Sequence, residues 1–183
     1  MSQNPIAATP TAVYTPGAFV WHELQSKDVA KSAAFYTALL GWTVKAVDMG
    51  TMTYHLLPIG DKQIGGMLPV QAASMPSFWT GDVPVPDVDW AAATATAAGG
   101  QIAAGPLGIP NVSRFAISID PQGAVIALFK SAHGDPATGR PEVGEFCWNN
   151  LDTTDVAAGD FGTFSVIQDP TGAVISLFQG NEG

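Results

Sequence analysis

The residues best suited to chemistry are a tryptophan and a glutamate that share one face of an expected strand. Residues 18–25 alternate with period two, which puts Phe19, Trp21 and Glu23 on one side and Val20, His22 and Leu24 on the other. Trp148 and Asn150 share a face in the same way on a strand expected over Glu145–Leu151. Thr80 and Asp82 do so on a strand expected over Ser77–Val85. If these faces line one cavity, it holds two indoles, an amide, and the carboxyls of Glu23 and Asp82. Tyr54 or His55, but not both, faces inward from a strand over Met52–Pro58. A carboxyl desolvated among indoles gains proton affinity, which suits Glu23 to general acid or base work. Aromatic walls with a few polar groups suit a flat or apolar small molecule. The expected catalytic group is therefore Glu23, and the expected ligand-binding residues are Trp21, Tyr54, Thr80, Asp82, Trp148 and Asn150. The opposing reading is that Phe19, Trp21 and Trp148 fill a core, with Glu23 hydrogen-bonded or paired.

Metal and thiolate chemistry have less to work with. One cysteine excludes an internal disulfide and a thiolate cluster, and Cys147 reads as a small core residue. The three histidines are His22, His55 and His133. A site of two histidines and a carboxylate would need His22 and His55 to converge with Glu23 or Asp82. The plainer reading is histidines on the surface or against a helix. A formal net charge of −9 repels phosphate backbones and anionic lipid, so neither nucleic acid nor a membrane surface is an expected partner. No apolar run approaches the ~20 residues that span a bilayer. The first residues show no basic region followed by an apolar core, so the expected location is the cytoplasm.

The elements that position these residues come as repeats. Gly17-Ala18-Phe19-Val20-Trp21-His22-Glu23-Leu24 returns as Gly144-Glu145-Phe146-Cys147-Trp148-Asn149-Asn150-Leu151. Phe115 to Phe129, with Asp120-Pro121-Gln122-Gly123 at its turn, returns as Phe164 to Phe178, with Asp169-Pro170-Thr171-Gly172. Such self-similarity divides the chain into modules. Residues 1–15 read as a flexible tail. Residues 16–70 read as strand, helix and three strands. The helix is capped by Ser26 or Asp28, carries Val29, Ala33, Tyr36 and Leu40 at helical spacing, and stops at Gly41. Residues 76–131 repeat that order, with a helix over Val88–Ala98 opened by Pro86-Asp87 and closed by Gly99-Gly100. Here Gln101–Ala104 reads as a strand followed by a loop. Residues 132–143 read as a linker, and 144–183 as a shortened third module. That third copy lacks about one helix and one strand, leaving a first strand and a terminal hairpin over Thr163–Gln168 and Ala173–Gln179. A fragment of that size cannot bury its own core. Its strands are expected to join the first two modules or a second subunit, so a homo-oligomer is expected, with strand exchange as one route.

Two motifs carry a family resemblance. One is the strand followed by Lys27-Asp28-Val29, Ser32-Ala33-Ala34-Phe35-Tyr36 and Leu40-Gly41-Trp42. The other is the Asp-Pro-x-Gly-x-x-Ile hairpin at 120–126 and 169–175. Together and duplicated, they resemble the vicinal oxygen chelate superfamily, which includes glyoxalase I, extradiol dioxygenases and fosfomycin- and bleomycin-resistance proteins. The Trp-His-Glu-Leu and Trp-Asn-Asn-Leu starts are similar to its glyoxalase-like "hydroxylase" branch. The resemblance implies an α+β fold in which paired βαβββ modules form curled mixed sheets around a cavity. It also implies where a metal would be held. One position lies on a module's first strand, seven residues before the helix-opening Asp. The other lies on its last strand, just after the Ile of the hairpin motif. These positions fall on Trp21, Thr80, Trp148, Ala127 and Ser176, none of them a His, Asp or Glu. The expectation is a cytoplasmic small-molecule-binding protein with no metal or other cofactor. The alternative is a lyase, isomerase or dioxygenase acting on a small oxygenated compound through a divalent metal or an acid/base group. A scaffold without activity is a third possibility.

Overall fold

The computed structural model describes residues 18–135, 141–150 and 162–180. The first module runs β1 (Trp21–Ser26), α1 (Val29–Leu40), β2 (Lys45–Asp48), β3 (Thr53–Ile59) and β4 (Lys62–Pro69). The second repeats it as β5 (Phe78–Pro84), α2 (Val88–Ala97), β6 (Gln101–Ile109), β7 (Ser113–Ile119) and β8 (Val125–Ser131). A hairpin of β9 (Gly162–Gln168) and β10 (Val174–Gly180) follows. The expected tail at 1–15 and the connection before β9 lie outside the described residues.

Local chemistry sets the boundaries. The Asp28 side chain accepts from the Lys31 N–H and opens α1, and Gly41, at φ 70°, closes it. Asp87 accepts from the Trp90 N–H and opens α2 in the same way. Each Asp-Pro-x-Gly turn is held by its own carboxylate. Asp120 accepts from the Gln122 and Ala124 N–H groups at 2.8 Å, and Asp169 accepts from Thr171 at 2.8 Å and Ala173 at 3.0 Å. Strand β6 runs past the expected loop to Ile109, because it is an edge strand. At an edge, Pro106 removes no needed ladder bond, and the register shifts between Ile102 and Leu107 absorb the irregular backbone.

Eight strands form one curled, unclosed mixed sheet in the order β2-β3-β4-β1-β5-β8-β7-β6. Within each module the first strand runs parallel to the last, as β1 to β4 and β5 to β8. The modules meet where β1 and β5 pair antiparallel, with His22 opposite Gly81 and Glu23 opposite Thr80. The strand order reads the same outward from this seam, so an approximate two-fold relates the modules. Both helices cover one face. Under α1, Leu24, Tyr36, Trp42, Leu57 and Met67 form a buried cluster; under α2, Val88, Ala92 and Ala116 form a second. Each fully buried Leu or Met contributes about 1.5–3 kcal/mol. No helix among the described residues is long and apolar enough to cross a membrane.

The third segment departs from expectation in two ways. Residues 141–150 are irregular, and no strand forms over 145–150. A strand needs a free edge, and β1 already has β4 on one side and β5 on the other. The segment docks by aromatic packing instead. Phe146 stacks on His22 at a centroid separation of 3.9 Å and meets Trp42 and Trp79 at 5.4 and 5.2 Å. Cys147, expected in a core, is exposed. The hairpin makes its own two-stranded sheet rather than extending the large one. Its turn is pinned to the start of α1: the buried Ser32 hydroxyl donates to Asp169 Oδ2 at 2.7 Å, and Ser26 donates to Thr171 Oγ1 at 3.3 Å. Ala173 and Ile175 complete the cluster under α1.

Candidate ligand-binding site

The face opposite the helices gathers most of the expected site residues. Leu24 packs toward Tyr36 and α1, so the alternate residues of β1, Trp21, Glu23 and Gln25, point the other way. The register sets Trp21 opposite Asp82, Glu23 opposite Thr80 and Gln25 opposite Phe78. Tyr54 reaches the same face from β3, across β4. Its hydroxyl accepts from Trp21 Nε1 at 3.0 Å and donates to Glu23 Oε2 at 3.1 Å. This crossing depends on Gly66, which lies between them opposite Glu23 on β4. A Cβ at position 66 would collide with the Tyr54 phenol. The Gly65-Gly66 pair inside a strand was the available sequence signal for that close approach.

The electrostatics of this cluster are those of acids with little solvent and no cation among the described residues beside them. Burial raises the Glu23 proton affinity, and the Tyr54 hydrogen bond partly offsets that rise. Asp82 is 9% exposed, and its pKa is pushed up to about 8, first by burial and then by the charge of Glu23. The Tyr54 phenol is raised too, by burial and by Glu23, and stays neutral. Two carboxyls this close titrate as a pair, so one proton stays in the cluster near neutral pH. Thr80, 3% exposed, and Gln25, 8% exposed, each leave a buried side-chain oxygen without a hydrogen-bond partner, Oγ1 and Oε1 respectively.

Five of the seven expected site residues are thus adjacent: Trp21, Glu23, Tyr54, Thr80 and Asp82. Trp148 and Asn150 are not among them. Both lie in the irregular segment, where Trp148 is 70% exposed and Asn150 is exposed. That segment rests on the helix-side face, where Asn149 Oδ1 accepts from His22 Nε2 at 2.8 Å. Their separation from the cluster follows from the missing strand at 145–150. The sequence reading missed Gln25 and Gly66 on the helix-free face, and Phe146 and Asn149 on the other.

A profile of the bleomycin resistance protein-like N-terminal family matches residues 18–54. A putative glyoxylase, CFP32, of Mycobacterium bovis is 37% identical over 123 residues, covering 67% of this chain and 47% of that protein. The anthracycline biosynthesis protein DnrV of Streptomyces peucetius is 32% identical over 166 residues, covering 81% of this chain and 60% of that protein. The chain belongs to the vicinal oxygen chelate superfamily. It spans about half the length of the curated relatives it matches. An extradiol ring-cleaving dioxygenase from B. fuscum superposes with a TM-score of 0.46 at 22% identity, over 67% of this chain and 35% of that one.

In a metal-using vicinal oxygen chelate protein, the ligand positions would face this same cluster. Trp21 and Thr80 do so from the first strands, and Ala127, opposite Asp82, does so from β8. The two-fold makes Gly66 the counterpart of Ala127, since Glu23 faces the one as Asp82 faces the other. An indole, a hydroxyl, a methyl and a hydrogen do not fit a divalent ion. Among the described residues no group of three or more His, Cys, Asp or Glu can hold a metal. His22 and His55 both point to the helix side, His22 against Phe146 and His55 paired in register with the buried Met67. Neither converges on Glu23 or Asp82. His133 bonds the Asn111 carbonyl at 2.8 Å, on the far module. The Ser176 side chain lies outside the described residues.

Proposed function

We propose that this glyoxalase- and bleomycin-resistance-like protein binds a small organic molecule on its helix-free face without a divalent metal. The observation that carries this reading is the Trp21–Tyr54–Glu23 hydrogen-bonded chain with Asp82 beside it, on the face where the superfamily places its chemistry. Aromatic surface supplies most of the binding energy in such sites, and a few polar groups fix orientation. Both are present here. Asp82 and Glu23 also support a second reading, proton transfer to or from a bound compound by a lyase or isomerase. A carboxyl whose pKa is raised to about 8 is mostly protonated at neutral pH and can donate where an ordinary one cannot. The edge strands β2 and β6, each paired on one side only among the described residues, support assembly into a homo-oligomer.

The test is a ligand screen by thermal shift on the chelator-treated chain, followed by titration with tryptophan fluorescence. The expected result is saturable binding that survives chelation and quenches the indoles. Glu23→Gln then separates the readings. Turnover that Glu23→Gln abolishes supports proton transfer, and saturable binding by the parent with no turnover to lose supports binding alone. Binding that appears only on adding zinc, iron or manganese contradicts the proposal.

A further inference from the structure

The cluster on the helix-free face is rich in acceptors and poor in donors. Glu23 receives one hydrogen bond, from Tyr54. The Asp82 carboxyl receives none from a described residue, and only burial and the charge of Glu23 act on it. The Thr80 hydroxyl and the Gln25 carbonyl are buried on the same face with no partner. No described cation answers them. Lys62 pairs with Glu142 and Glu145, Arg114 pairs with Asp89, and Lys130 bonds the Pro86 carbonyl. Lys27 and Lys31 are exposed around the start of α1. Lys45 stands in the same register row as Glu23 but three strands away, about 14 Å along the sheet. An unpaired buried acceptor is costly, so this arrangement favours a ligand that brings its own donors.

We infer that this face recognises a protonated amine carried on an apolar or aromatic body, with the ammonium held between Glu23 and Asp82 and completed by Thr80 or Gln25. The inference rests on the small-molecule site proposed above and names its ligand class. An ammonium has three donors and no acceptor, which complements this set. Glu23 and Asp82 are diagonal neighbours across the β1–β5 pair, with Cβ atoms about 7 Å apart in such a register. One nitrogen can bridge two carboxyls at that spacing. The ammonium takes the place of the proton that the pair otherwise holds, so binding releases a proton. Trp21 and Tyr54 add ring faces that attract a cation. Phe78, Phe115 and Phe129 lie on the same face by register and offer an apolar bed for the body.

The test uses matched probes by isothermal titration: phenethylamine against 2-phenylethanol, and cyclohexylamine against cyclohexanol. The expected result is that each amine binds at least about tenfold more tightly than its alcohol, a difference of about 1.4 kcal/mol. Amine binding should also release protons, read as a dependence of the heat on buffer ionisation enthalpy. Glu23→Gln and Asp82→Asn, both close to isosteric, should each remove most of that preference. Equal binding of amine and alcohol, or binding of the alcohols alone, overturns the amine assignment and leaves the small-molecule site standing. Failure of both amines to bind a protein that does bind hits from the wider screen also overturns it. So does tight binding of manganese that the amines cannot displace.

Discussion

Asp82→Asn should reshape the dependence of stability on pH. Asp82 has a folded pKa of about 8, against an ordinary value of 3.8. An acid whose pKa is raised by folding keeps its proton in the native state while the unfolded chain has lost it. The native state then binds more protons, so unfolding free energy falls as pH rises, by about 1.4 kcal/mol per pH unit. The fall begins near pH 4 and ends just above pH 8, with a ceiling of about 6 kcal/mol over that window. Asparagine cannot ionise and carries no such slope. Urea denaturation of both proteins from pH 5 to pH 9 isolates the effect, because the remaining charges are common to the two. The stability of Asp82→Asn relative to the parent should climb by at least about 2 kcal/mol between pH 5 and pH 8 and then level off. Parallel curves across that range would refute the buried, unpaired state of Asp82.

Other consequences follow from the same packing. Gly66→Ala should cost about 1–3 kcal/mol by displacing the Tyr54 ring, and the cost should shrink when Tyr54→Ala is added, as a double-mutant cycle will read. Asp169→Ala removes the acceptor of Ser32, Thr171 and Ala173, so it should cost about 2–3 kcal/mol. In that variant, hydrogen exchange should speed up in β9 and β10 before it does in α2. Burial in the Phe146 stack lowers the His22 pKa, and its bond to Asn149 only partly restores it. Stability should therefore decline as pH falls below 6.5, and NMR titration should place the His22 midpoint below that value; a midpoint at or above it contradicts the stacked geometry.

Much of this was legible in the sequence where the cause is local. Asp28 and Asp87 cap their helices from adjacent positions, and the two Asp-Pro-x-Gly turns close on their own carboxylates. Hence the order of elements and the terminal hairpin could be read directly. Period-two alternation fixed the shared face of Trp21 with Glu23 and of Thr80 with Asp82. It could not say that β1 and β5 would pair with His22 opposite Gly81, the register that brings the two carboxyls together. The sequence similarity between 144–151 and 17–24 misled, because similarity carries strand propensity but not a place beside β1. With β4 and β5 already on β1, the third copy contributes Phe146 and Asn149 to the helix side, and Trp148, Asn150 and Cys147 to the surface. Gly66 was visible only as an oddity within a strand, and its purpose required the position of Tyr54.

The most direct test of the central claim measures metal content and ligand affinity on one sample of the purified protein. Substoichiometric zinc, iron and manganese, together with saturable binding that Glu23→Gln or Asp82→Asn alters, is the predicted result. One tightly bound divalent ion per chain, whose removal abolishes binding, would contradict it.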